Sequence, residues 1–496
     1  MFEKFVSTLN GIVWSPVLVV LLVGAGLYLS YRTGFVQVRR FGLLVRSLFA
    51  RKASGAKGSG PRKGISSFEA FCVALSGRVG TGNIVGVATA IALGGPGSVF
   101  WMWIIAFFGA STAFVESTLA QMYKFHHRST FRGGPYSYIE HGLNAKWLGI
   151  AFAVVTIIAN GALLPTVQAN GVSSALGNAF GVSPLASGLG LAALLALVII
   201  GGVRGIARVA SVVTPFMALA YILLSLVIIG LHIDRVPAVL SSIVTNAFGI
   251  QPVAGGILGS TIMMGVKRGI FSNEAGQGGG AIVSASADVP HPARQGFAQA
   301  FSVYVDTLLV CTATALMILC SGTYNILDAK TGEMLVAGAP ELGGNYVGYT
   351  QAAVDSVLHG VGSQFVGVVL VFFVFTTIMA YYFYVESGIV YLFHRSPHAT
   401  RRWENITIWC FRILLLAATV FGALKEADLI WQLGDIGVGL MAWINVVALL
   451  LLCPKAIAAL RDYERRQKAG EKDPIFHPSE FGIDSSSWEE EKPLNP

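Results

Sequence analysis

Along this chain, long apolar stretches alternate with short polar turns. Residues 13–31 and 185–202 run for about twenty residues without period-two alternation, close to the length a helix needs to cross a bilayer. Hydrocarbon offers no water to backbone groups, so only helices and closed barrels cross it. A barrel strand would alternate polarity over about ten residues. The pattern therefore predicts an all-α integral membrane protein with about eleven transmembrane helices. They fall near 13–31, 67–93, 97–122, 147–176, 185–202, 210–231, 255–287, 297–321, 362–393, 406–424 and 430–453.

Composition agrees: 54% of residues are hydrophobic and 12% charged, with a mean hydropathy of +0.66. Soluble domains carry roughly a quarter charged residues, so a soluble multi-domain enzyme is excluded. The net charge of +8 resides mostly in short loops between spans and does not point to nucleic acid. Cys72, Cys311, Cys320, Cys410 and Cys453 all fall in apolar segments without metal-ligand spacing, which predicts small packing residues rather than disulfides or zinc. The amino-terminal residues 1–15 have no basic stretch ahead of the first apolar run, which predicts a retained helix rather than a signal peptide.

Basic residues mark one side. The first loop carries Arg32, Arg39, Arg40, Arg46, Arg51, Lys52, Lys57, Arg62 and Lys63 with no acid. Later alternate connections hold Lys124 and Arg128, Arg204 and Arg208, Arg294, then Arg395, Arg401 and Arg402, and the tail opens with Lys455 and Arg461. The opposite connections are neutral or acidic, as in 322–360 with Asp328, Glu333 and Glu341. The positive-inside rule puts the amino terminus outside and the carboxyl-terminal tail in the cytoplasm. Within the first loop, residues 35–50 could form an amphipathic helix on the inner leaflet, and the Gly, Ser and Lys beyond suit a linker. The tail from Arg461 to Pro496 is expected to be solvated.

Two predicted spans are interrupted alike. The second contains Ser76-Gly77-Arg78-Val79-Gly80-Thr81-Gly82-Asn83, and the seventh Ser272-Asn273-Glu274-Ala275-Gly276-Gln277-Gly278-Gly279-Gly280. Each glycine weakens a helix by about 1 kcal/mol relative to alanine. Non-helical backbone at membrane depth persists only where it lines a cavity or is buried in protein. The interruptions start five spans apart, and an odd number of crossings reverses direction. Spans two to six and seven to eleven would then be inverted copies, and paired broken helices in such halves point to a transporter's binding site. Free amides at Thr81, Gly82 and Asn83 would attract a carboxylate, while carbonyls freed near Ser76 and Val79 would face a cation. Thr376 and Thr377 on the ninth span offer two hydroxyls, either for such a cation or for bonds to their own helix. Arg78, Glu116, Lys267, Arg268, Glu274, Asp306 and Glu386 fall within or beside spans, where charges line a pathway or pair with one another. Arg268 is a candidate partner for Glu274 or Asp306.

At these residues the chain resembles the alanine/glycine:cation symporter family over nearly its whole length. The matching stretches are Gly80-Thr81-Gly82-Asn83-Ile84-Val85-Gly86-Val87-Ala88, Gly94-Gly95-Pro96-Gly97-Ser98-Val99-Phe100-Trp101-Met102-Trp103 and Phe131-Arg132-Gly133-Gly134-Pro135. Val167-Gln168-Ala169-Asn170, Phe271-Ser272-Asn273-Glu274-Ala275-Gly276 and Asp306-Thr307-Leu308 complete them. The resemblance implies a LeuT-type fold of five-plus-five inverted repeats with one extra amino-terminal helix. Residues 1–32 would be that helix, 33–66 a basic loop, 67–232 and 233–453 the repeats, and 454–496 the tail. It implies sodium-coupled import of alanine or glycine across a bacterial inner membrane, with no covalently bound cofactor and no obligate protein partner. Thr81, Gly82, Gln168, Asn273, Gly276 and Tyr381 become expected substrate contacts. Ser76, Val79, Thr376 and Thr377 become an expected sodium site, with Asn83 a second ligand. The family commonly has tryptophan where Tyr381 stands, so the pocket wall is more polar here and serine or glutamine are alternative substrates.

Proton coupling through Glu116, Glu274 or Asp306 is the rival within transport. An intramembrane enzyme is disfavoured, because no nucleophile motif or paired metal-ligand histidines fall in a span. His126, His127 and His291 sit in connections, and the glycines at 276–280 lack the Lys-Ser/Thr of a phosphate loop. A channel is disfavoured by the inverted spacing of the two interruptions.

Overall fold

A computed structural model describes residues 1–49, 64–128, 130–249, 258–328, 331–395, 400–484 and 488. The basic residues Arg51 to Lys63 and the acidic cluster 489–491 lie outside the described residues.

The chain opens with α1 (Phe2–Val13) and α2 (Pro16–Arg32), which together make one apolar span of 31 residues. The short helices α3 (Val36–Arg39) and α4 (Phe41–Arg46) follow, where an amphipathic segment is expected. The second span divides into α5 (Ser67–Arg78), a π-helical turn Gly82–Gly86 and α6 (Val87–Gly94), with 51° between its halves. Its start is fixed by a capping box: the Ser66 hydroxyl accepts from the Glu69 amide and the Glu69 carboxylate from the Ser66 amide.

After α7 (Gly97–Met122), a hairpin of β1 (Phe125–His127) and β2 (Thr130–Arg132) leads to α8 (Pro135–Leu143). Helices α9 (Lys146–Ile158) and α10 (Leu164–Phe180) join through a π-helical turn at Ala159–Leu163. Then come α11 (Pro184–Ile199), α12 (Gly202–Leu231) and α13 (Val236–Ala247). The seventh span is α14 (Leu258–Asn273) and α15 (Gly279–Ala285). The eighth is α16 (Pro292–Val303), a π-helical stretch Tyr304–Cys311 and α17 (Thr312–Ser321). A second hairpin, β3 (Asn325–Leu327) with β4 (Met334–Ala337), precedes α18 (Tyr346–Asp355). The chain ends with α19 (Gly362–His394), α20 (Arg401–Leu424) and α21 (Ala427–Lys468).

Eight of these helices, or nine counting the bent second span, are long and apolar enough to cross a membrane among the described residues. The two other expected spans are occupied by α11, with 16 residues, and by the interrupted pair α14 and α15. The interior is packed around α5, α7, α14, α16 and α19, while α12 and α20 expose rows of large apolar side chains such as Phe216, Leu219, Leu223, Trp409 and Ile413. Of the five cysteines, Cys410 alone is exposed, on α20.

The tail departs from expectation. Helix α21 continues through Pro454 to Lys468, and its last turns are held by ion pairs, Glu464 with Arg39 and Arg40 and Asp462 with Arg465 and Arg466. Beyond it, Phe476 is buried, its amide donates to Pro290 O at 2.9 Å, and its ring packs on His291, Phe481 and Trp488. A few aromatics scattered in a polar run leave no trace in a span-length hydropathy window, but Phe476, Phe481 and Trp488 together anchor the segment. Burial holds the His291 imidazole below its ordinary range.

Candidate functional site

In the second span the helix stops at Arg78, Val79 is extended (φ −80°, ψ 93°), and helix resumes at Thr81. Glycine is required next: a Cβ on Gly80 would stand 2.6 Å from Thr377 Oγ1 and 2.7 Å from Gln168 Oε1. The peptide groups released here are met by side chains. Gly80 N donates to Asn83 Oδ1 at 2.8 Å, and Thr81 N donates to Gln168 Oε1 at 2.9 Å. Gln168 Nε2 in turn donates to the Tyr381 hydroxyl at 3.3 Å. The Thr377 hydroxyl lies 3.0 Å from Val79 O and 2.8 Å from Phe373 O. One hydroxyl proton cannot fully serve two carbonyls, so the Thr377, Val79 and Phe373 oxygens meet here, Phe373 O also accepting from the Thr376 hydroxyl at 2.9 Å. That is a hard-oxygen arrangement suited to a small cation.

Thr81, Val79, Gln168, Thr377 and Tyr381, all buried, thus form one group. Gly82 adjoins it on the far side, against Phe271 and Ser272 of α14. Thr376 turns elsewhere. Its hydroxyl bonds back to Phe372 O and Phe373 O and reaches Met217 Sδ on α12 at 3.6 Å. The Ser76 hydroxyl bonds back to Val73 O at 2.7 Å.

The second break is longer. After Asn273, the residues Glu274, Gly276 and Gly278 have φ of +55°, +88° and +95°, so the chain makes an irregular loop before α15. Side chains again replace the helix: Asn273 Oδ1 accepts from the Ala275 amide at 3.0 Å, and Gln277 Nε2 donates to Ile270 O at 2.5 Å. Among the described residues Asn273 Nδ2 is buried without a partner, and a ligand at the break would satisfy it. Arg78 ties the breaks together, donating to Asn273 O at 2.6 Å, to Gln299 Oε1 at 3.1 Å and to the Ser302 hydroxyl. Glu274 accepts from the Tyr384 hydroxyl at 3.0 Å. Gly276 lies apart from the Thr81 group, with Thr112 and Val446 beside it and its carbonyl bonded to Asn445 Nδ2 at 2.9 Å.

A carboxylate joins the two breaks from a third side. Asp306 accepts from Asn83 Nδ2 at 2.6 Å, Ser272 Oγ at 2.9 Å and Thr307 Oγ1 at 2.7 Å. Sequence reasoning marked Asp306 as an intramembrane charge but missed Ser272 as its partner. Arg268 is corrected: it pairs with neither Glu274 nor Asp306 but with Asp435 on α21 at 2.6 Å, and Lys267 joins the same carboxylate at 2.7 Å. Asp435 went unremarked because it stands well over a hundred residues away in an otherwise apolar span.

A cavity of about 490 Å³ approaches this assembly, lined among others by Val85, Gly171, Asn345, Lys425 and Trp431. Its floor is near the first break, because a Cβ on Gly171 would lie 2.6 Å from Thr81 Cγ2. Trp431 packs on Phe271 with ring centroids 5.0 Å apart, and Arg268 lies 4.7 Å from the Trp431 ring. That layer separates the cavity from Gly82.

Unwound backbone buried at the meeting of two broken apolar helices, with a vestibule leading to it, defines a membrane transporter. Residues 1–478 match the sodium:alanine symporter family, and the chain belongs to that family. It is a membrane amino-acid symporter and not an enzyme. The chain is 50% identical, over 98% of its own length and 98% of the other's, to a Bacillus subtilis protein named "Putative sodium/proton-dependent alanine carrier protein YrbD". It is 43% identical, over 96% of its length and 93% of the other's, to "Probable sodium/glutamine symporter GlnT" of the same organism. The solved substrate-bound, outward-open structure of a Na⁺-coupled sialic acid symporter shares the fold, with a TM-score of 0.51 at 12% identity, covering 89% of this chain and 86% of that one.

Proposed function

We propose that this symporter couples sodium entry to import of a small neutral amino acid of the alanine or glycine class by alternating access. The observation that carries the reading is the group around the first break. The Thr81 amide is held by Gln168 Oε1, an oxygen that stands where a substrate carboxylate oxygen would bind. Three oxygens, of Val79, Thr377 and Phe373, converge beside it and would take the sodium ion, with Ser76 and Thr376 on its flanks. Gly82 and the orphaned Asn273 Nδ2 complete the substrate's surroundings, and Gly276 supports that surface from the rear. The Asp306, Asn83 and Ser272 cluster suits a second cation, which is how Asn83 would act as a ligand.

The layout proposed for this cycle is eleven spans: one extra helix within 1–32, then inverted halves at 67–232 and 233–453. The vestibule opens among 177–184, 344–347 and 423–427, connections whose low positive charge favours the outer face of a bacterial inner membrane. The basic loop 33–66 and the tail 454–496 would then be cytoplasmic.

A second reading, import of a more polar substrate such as serine or glutamine, is favoured by two observations. The Tyr381 hydroxyl reaches the group through Gln168, and a relative carries the glutamine name. Uptake of labelled alanine into proteoliposomes, with sodium and pH gradients imposed separately and serine and glutamine as competitors, tests both. Sodium-driven uptake blocked by excess alanine is expected. Uptake that ignores sodium contradicts the proposal, and stronger competition by glutamine favours the second reading.

A further inference from the structure

Glu116 on α7 is fully buried, and its Oε1 has no hydrogen-bond partner among the described residues. Its Oε2 accepts from Asn445 Nδ2 at 3.1 Å, and the Gly276 backbone amide also faces the carboxyl. An ionised carboxylate at that depth needs a cation or several donors, because an uncompensated buried charge costs several kcal/mol. Of the other two carboxylates near the breaks, Asp306 is better supplied, with three side-chain donors, while Glu274 has one, the Tyr384 hydroxyl. The titratable groups that face Glu116 are Arg78 from α5, Glu274 from the second break and Tyr138 from α8. Arg78 is the one cation among them and its field favours the anion, but among the described residues it makes no ion pair with Glu116, its Nε and Nη1 going to Asn273 O, Gln299 and Ser302. Glu274 repels, and Tyr138 gives its proton to Asn445 Oδ1.

Asn445 is the link outward. It is oriented by the Tyr138 hydroxyl, so its two amide hydrogens go to Glu116 Oε2 and to Gly276 O inside the break. A lone carboxylate with one orphaned oxygen lacks the oxygen shell a metal cation takes, but it holds a proton directly. We propose that Glu116 is a proton-binding site of this carrier, with Asn445 transmitting its protonation to the backbone of the second break. When the proton leaves Oε1, the anion draws Asn445 and the Gly276 peptide toward itself, and the carbonyl at Gly276 loses its share of that amide. The loop between α14 and α15 therefore has two arrangements, one for each protonation state. This rests on the symport reading but does not depend on which amino acid is carried.

The test uses the full-length protein in proteoliposomes loaded with a pH-sensitive dye, with alanine as substrate and an imposed sodium gradient. The wild type is expected to move protons when alanine is added, with uptake changing by up to about tenfold per pH unit, the limit for one titrating proton. In Glu116→Gln, which fixes the neutral form, the dye signal is expected to fall to that of empty vesicles. Its remaining uptake is expected to lose the pH dependence. A variant with wild-type proton movement and pH profile overturns the inference, as does a wild type showing sodium-driven uptake with neither. A wild type that carries no amino acid at all defeats the symport reading instead. Infrared difference titration of the purified protein then still decides the site, since it needs no transport. A carboxylic acid C=O band present in the wild type and missing from Glu116→Gln supports it, and identical spectra overturn it.

Discussion

The two broken helices look alike in sequence and are built differently. The first break is short, one extended residue and one glycine, and the groups that meet its released peptide units are neutral: Gln168, Asn83, Thr377 and Tyr381. The second has five residues between helices, three of them with positive φ, and it sits among Arg78, Glu274, Asp306 and Glu116. Neutral dipoles can release a peptide group to a ligand at little cost, because one hydrogen bond is exchanged for another. Charges in a dry interior hold their partners more firmly. The contrast suits the proposed division of labour, in which the first break would serve as the ligand cradle and the second as a jointed support that sets where Asn273 and Ser272 stand.

Substitutions at the two breaks should therefore fail in different ways. Gly80→Val is expected to abolish uptake while the protein still inserts, since any Cβ there collides with Thr377 and Gln168. Gly278→Val, at φ +95° and against Pro135, should instead lower the melting temperature of the detergent-solubilised protein. Equal losses of ligand binding and stability at both glycines would erase the distinction. Asn273→Ala removes a donor without removing the Arg78 bond to its carbonyl. It should weaken alanine binding by about 1.5–3 kcal/mol, the range for a hydrogen bond to a charged group, as read by calorimetry.

Adjacent threonines give a sharper test. Thr377→Val should weaken sodium activation of uptake by about tenfold, roughly 1.4 kcal/mol. Thr376→Val, whose hydroxyl faces Phe372, Phe373 and Met217, should do much less. The reverse order would move the ion site to the other face of α19. Smallest is Tyr381→Phe, expected to shift the ratio of serine or glutamine to alanine uptake only a few-fold, because Gln168 loses one of its two partners.

Sequence already carried the breaks, since glycines and polar residues inside apolar runs have few other meanings at membrane depth. It also marked Arg78, Glu116, Glu274 and Asp306 as costly and therefore purposeful. Their partners were hidden by distance along the chain: Glu116 meets Asn445, and Arg268 meets Asp435, pairings no local pattern encodes. Thr376 and Thr377 could not be told apart because neighbours on a helix differ by about 100° in direction, and only the packing of α19 against α5 decides which faces Val79. Gly276 shares its stretch with Asn273, yet the left-handed residues turn it toward Asn445.

The central claim is that the peptide groups of the first break bind amino acid and sodium together. Equilibrium binding of labelled alanine to the purified protein, with sodium or with choline at equal ionic strength, tests it without the complication of transport. Saturable binding that appears only with sodium in the wild type, and needs about tenfold more sodium in Thr377→Val, is the predicted result. Equal binding in choline, or sodium dependence untouched by Thr377→Val, would contradict it.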